Sequence, residues 1–88
     1  MSRVNPVPKN KAYKVIVTGS FDYETYLRIS GLLREFGSVQ SAFFDAKSKK
    51  LDAAATFMVS TMHDADDMRV LLEQNPGVHR VLVEANHA

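Results

Sequence analysis

Eighty-eight residues, 45% of them apolar, are enough for one small domain with a real core. A formal net charge of +1 argues against capture of a polyanion by bulk charge. The absence of cysteine excludes a disulfide framework, a thiolate nucleophile and cysteine-held metals, and it fits a reducing, cytoplasmic compartment. No apolar run is long enough to span a bilayer, so no membrane role is expected. Residues 1–11 contain Pro6 and Pro8 and lack the apolar segment of a secretory signal. They are expected to form a flexible N-terminal arm, with the domain proper over residues 12–86.

The first strand is predicted over Tyr13–Thr18, where Tyr13, Val15 and Val17 alternate with Lys14, Ile16 and Thr18. The odd set is the more apolar and should face a core, which leaves Ile16 on the opposite face. Gly19 and Ser20 end the strand, and Ser20 or Asp22 can cap a helix over Asp22–Phe36. Tyr26, Ile29, Leu33 and Phe36 recur there at helical spacing, with Leu27 and Leu32 widening the stripe. Gly37 then reads as a left-handed helix stop.

A second strand is predicted over Val39–Ala46 and a third over Leu51–Val59, joined by the polar hairpin Asp45–Lys50. Phe43 and Phe44 are adjacent, so one points to each face, and Phe44 is assigned to the open one. In the third strand Leu51, Ala53, Ala55, Phe57 and Val59 form the core set, with Ala54, Thr56 and Met58 opposite. A short helix over Asp64–Gln74 has Thr61 and Asp64 in capping-box spacing. Met68, Leu71 and Leu72 are its buried face, and Asn75-Pro76-Gly77 ends it. A last strand covers Val78–Val83, with Arg80 and Leu82 on the face away from Val81 and Val83.

The order strand, helix, strand, strand, helix, strand predicts a ferredoxin-like α+β sandwich: a four-stranded antiparallel sheet with two helices on one face. Strands one and three should be central. That topology places Lys9 and Lys11 near Asp64, Asp66 and Asp67, and Lys47, Lys49 and Lys50 near Asp22 and Glu24.

Few residues suggest chemistry. His63 with Asp64, Asp66 and Asp67 is the densest set of candidate metal ligands, but acidic residues in a first helical turn serve the helix dipole. Gly19-Ser20 lacks the lysine of a phosphate loop. No nucleophile, base and orienting group come together, so no catalytic residue, metal site or cofactor is assigned.

Three stretches resemble an RNA-recognition motif: Lys14-Val15-Ile16-Val17-Thr18-Gly19, Leu33-Arg34-Glu35-Phe36-Gly37-Ser38-Val39 and Leu82-Val83-Glu84-Ala85. That family stacks bases on aromatics of the two central strands. The matching positions here are Ile16, Asp52 and Ala54. Gly77-Val78 before the last strand and the short second helix are similar to ACT-type regulatory domains, which implies small-molecule sensing and pairing of domains. The topology also resembles heavy-metal-associated domains, without their Cys-x-x-Cys, and small maturation chaperones that bind signal peptides.

The expected function is a non-catalytic protein-interaction or regulatory module. It would pair with itself as a homodimer, or with a partner protein, across the open sheet face or along the edge of strand two or four. The expected contacts are Ile16, Phe44, Thr56, Met58 and Leu82. A small-molecule effector is compatible with this reading. The alternative is an atypical RNA-binding domain using Lys14, Lys47, Lys49, Lys50 and Arg80, with Phe44 or Tyr13 stacking on bases.

Overall fold

The strand alternation and the helical stripe produce six elements in the computed structural model, which describes residues 11–47 and 52–85. They are β1 (Lys11–Ser20), α1 (Tyr23–Phe36), β2 (Gly37–Lys47), β3 (Asp52–Thr61), α2 (Ala65–Glu73) and β4 (Val78–Ala85). The strands form one antiparallel sheet in the order β2-β3-β1-β4. This is the ferredoxin-like βαββαβ fold, with β1 and β3 central and β2 and β4 at the edges. The predicted arm lies outside the described residues except for Lys11, which opens β1 opposite Thr61. Lys9, Lys49, Lys50 and Leu51 also lie outside them.

The core follows the odd residues of the central strands. Val15, Val17, Ala55, Phe57 and Val59 are buried against Tyr26, Ile29 and Leu33 of α1 and Met68 and Leu72 of α2. Burying a side chain as large as Phe57 stabilises the domain by about 1.5–3 kcal/mol. Leu71 is half-buried, and Leu27 is 50% exposed rather than part of the stripe.

The helix ends are built differently from the sequence expectation. Asp22 caps α1 by accepting a hydrogen bond from the Thr25 amide at 2.9 Å. Gly37 is extended (φ 175°) instead of left-handed, and its amide donates to the Leu33 carbonyl as the chain passes directly into β2. A Cβ there would collide with the Ser60 carbonyl, so the glycine permits close strand approach.

Thr61 does not cap α2. Its hydroxyl donates to the Phe36 carbonyl at 2.6 Å and accepts from the His63 amide at 3.0 Å. It thereby satisfies an orphan acceptor at the end of α1, on the strand residue paired with Gly37. Asp64 occupies the N-cap position of α2, but its side chain makes no capping hydrogen bond. Beyond α2, the Asn75 side-chain amide donates to the Leu71 and Leu72 carbonyls. Gly77 has φ +85°, and its carbonyl accepts from the Ser20 amide at 2.8 Å. That bond joins the end of β1 to the start of β4.

Candidate functional site

The two helices cover one face of the sheet, so the even residues of β1 and β3 turn the other way. Strand pairing arranges that second face in rows. The central row runs across all four strands as Phe43, Thr56, Ile16 and Leu82. On one side lies the row Asp45, Ala54, Thr18 and Arg80, and on the other Ser41, Met58, Lys14 and Glu84. No described element covers these rows. Phe43 is 64% exposed and Leu82 41% exposed, while Ile16, Thr56 and Met58 are half-buried by their neighbours.

Ile16, Thr56, Met58 and Leu82 are therefore brought together on one face. Phe44 is not among them, which corrects its expected position. Its ring is turned toward the helices, 4.9 Å from Tyr26, 5.8 Å from Tyr23 and 6.0 Å from Phe21, measured between centroids. Tyr26 in turn stacks on Phe57 at 5.6 Å.

The cause is a β-bulge. Val39 pairs with Val59 and Ser41 with Met58, so Gln40 is the extra residue. One inserted residue reverses the parity of everything after it. Strict alternation from Val39 would have sent Phe43 inward and Phe44 outward. The signal in the sequence is the pair Gln40-Ser41, two polar residues in succession after a half-buried valine.

The candidate nucleic-acid contacts are divided. Lys14 and Arg80 lie on the open face, in separate rows. Lys47 pairs through its backbone with Asp52 at the end of β2. The two expected stacking residues, Tyr13 and Phe44, both belong to the helix-covered side, Tyr13 as a buried core residue.

The face carries balanced charge. Lys14 sits opposite Glu84 across the β1–β4 pair, and Arg80 and Asp45 stand at the two ends of one row. Between Ile16, Thr18, Arg80 and Leu82 lies a shallow hollow of about 200 Å³. It is smaller than the roughly 300–1,000 Å³ typical of small-molecule pockets.

The acidic cluster at the start of α2 has structural partners. Lys11 reaches Asp64 at 3.5 Å, the proximity expected from topology. Arg69 bridges Asp66 and Glu73, each at 3.4 Å. All are well exposed and contribute little to stability. Among the described residues no three His, Asp or Glu side chains converge as a metal site requires. No described helix is long and apolar enough to cross a membrane.

No protein-family model and no curated protein matches this sequence. Solved structures that share its fold include two small domains. One is the ACT domain from the GTP pyrophosphokinase of Chlorobium tepidum, with a TM-score of 0.68 at 15% identity, covering 84% of this chain and 97% of that one. The other is the C-terminal domain of the MgtC protein from Mycobacterium tuberculosis, with a TM-score of 0.67 at 13% identity and 94% coverage of both chains. At such identities the likeness is one of fold.

Proposed function

We propose that this chain is a non-catalytic interaction module of regulatory type that docks through the open face of its sheet. The observation that carries this reading is the row Phe43–Thr56–Ile16–Leu82, which crosses the whole sheet with no described element above it. Exposed apolar surface that is continuous, as distinct from scattered residues, marks an interaction site. The fold shared with the ACT domain of a GTP pyrophosphokinase supports a regulatory setting. It lends no support to a particular effector, and the shallow hollow is small for one.

RNA binding has weaker support. The basic residues Lys14 and Arg80 are matched on the same face by Asp45 and Glu84. A nucleic-acid footprint instead gathers an excess of positive charge.

The test is Met58→Asp. Met58 is half-buried on the open face, next in sequence to the fully buried Phe57. The variant is expected to keep its circular dichroism, with a stability loss of about 1 kcal/mol because aspartate is a poor strand former at this half-buried position. Its self-association by light scattering, or its measured affinity for a partner protein, should change about tenfold or more. A folded variant with both properties unchanged would sink the proposal.

A further inference from the structure

Building on that reading of the face, we infer that its occupant is a second copy of this chain, packed face to face about a twofold axis parallel to the strands. Such an axis lays β2 of one copy over β4 of the other, and β3 over β1. It leaves each row over its own counterpart in the other copy. Six correspondences then arise from the pairing of the strands, two in each row, and they include Met58 over the second copy's Lys14, Ser41 over its Glu84 and Ala54 over its Thr18.

Phe43 comes over Leu82 of the second copy, Thr56 over its Ile16, and Asp45 over its Arg80. Each correspondence occurs twice, because a twofold interface is self-complementary. Phe43 is the most exposed large apolar side chain among the described residues. The place it meets is the hollow lined by Ile16, Thr18, Arg80 and Leu82. That hollow is small for a free ligand but suits one aromatic ring, and Arg80 on its rim meets the carboxylate two residues beyond that ring. Packed sheets lie about 30° apart, which shifts the edge strands by roughly half a row and leaves long side chains such as Arg80 within reach.

Charge supports the same occupant. Lys14 and Arg80 against Asp45 and Glu84 make the face neutral, so two copies do not repel one another. The area sets the strength. Four strands about 4.8 Å apart and three rows about 7 Å apart make a patch of roughly 20 Å by 20 Å. Two such faces bury on the order of 800 Å², below the roughly 1,200 Å² at which stable interfaces begin, so the dimer is a weak one that depends on concentration.

The experiment is sedimentation equilibrium on the full chain up to about 1 mM, the range in which weak dimers populate. Wild type should dimerise. Phe43→Asp should raise the dissociation constant about thirtyfold or more. Asp45→Arg and Arg80→Asp should each weaken the dimer, and the double variant carrying both should recover to within about threefold of wild type. Circular dichroism should be native in all of them. The charge swap keeps the inference testable should Phe43→Asp fail to fold.

Three results overturn it. One is a wild type that stays monomeric throughout. Another is a dimer indifferent to Phe43→Asp. The third is a dimer restored by exchanging Arg80 with Glu84 in place of Asp45, which requires an axis across the strands. A monomeric wild type leaves the docking reading standing, to be judged by partner binding of the Met58→Asp variant. A folded Met58→Asp protein with unchanged association and partner affinity rejects that reading itself.

Discussion

The two faces of this sheet are made by the same strands, residue by residue, yet they have opposite fates. Val15, Val17, Phe57 and Val59 point one way and are sealed beneath the two helices. Ile16, Thr56, Met58, Leu82 and Phe43 point the other way and have no described cover. The second set shares its face with Lys14, Asp45, Arg80 and Glu84, whereas the covered set has no charged member. The more apolar face is therefore the one that becomes the core. The helical stripe of Tyr26, Ile29 and Leu33, with Met68 and Leu72, seals it.

The sharpest way to break this comparison is to damage each face in turn. Phe57→Ala on the covered face should cost about 3–5 kcal/mol and leave the domain largely unfolded, read as loss of the cooperative urea transition. Met58→Asp, one residue along on the open face, should by contrast leave the domain folded. A stable Phe57→Ala protein would mean that the helices are not the main seal.

The adjacent phenylalanines test the bulge at Gln40. Phe44→Ala removes a half-buried ring from the cluster with Tyr26 and should cost about 2 kcal/mol in chemical denaturation. Phe43→Ala should stay within about 0.5 kcal/mol of wild type. The reverse order would place the parity change elsewhere in β2.

A smaller effect concerns the junction between the layers. Thr61→Val keeps the shape but removes the hydroxyl that serves both the Phe36 carbonyl and the His63 amide. The loss should be about 1–2 kcal/mol by thermal melting, because Thr61 is buried and an unpaired acceptor remains. An unchanged Tm would show that water replaces the hydroxyl.

The smallest effect is at the exposed cap of α1. The Thr25 backbone amide, and after it the Thr25 hydroxyl, hold the Asp22 carboxyl below the ordinary value of 3.8. A carboxyl depressed in the folded state stabilises the protein above its unfolded value. That contribution is lost as pH falls through the lower folded value. Asp22→Ala should therefore lower Tm slightly near neutral pH, and the gap should close as the solution is acidified below about pH 4. A gap independent of pH would show that the charge on Asp22 plays no part in the cap.

Much of this molecule was legible in the amino-acid sequence, and the reason is local. Alternation in β1 and β3 and the 3.6-residue stripe of α1 depend on near neighbours alone. They identified the six elements, the ferredoxin-like fold, the central strands and the face carrying Ile16, Thr56, Met58 and Leu82. The Lys11–Asp64 proximity followed from connectivity.

Three features depended on residues far apart in the chain. The bulge at Gln40 exists because β2 pairs with β3 in a particular register, and that register turns Phe44 inward and Phe43 outward. Thr61 is drawn from a local capping role to the Phe36 carbonyl because the end of β3 lies beside the end of α1. Gly37 is extended because β2 starts against Ser60 and Thr61. Sequence periodicity determined what each segment is, since that is a property of its own side chains. The tertiary structure decided which way a given side chain faces, because one inserted residue reverses a strand and only the partner strand reveals the insertion.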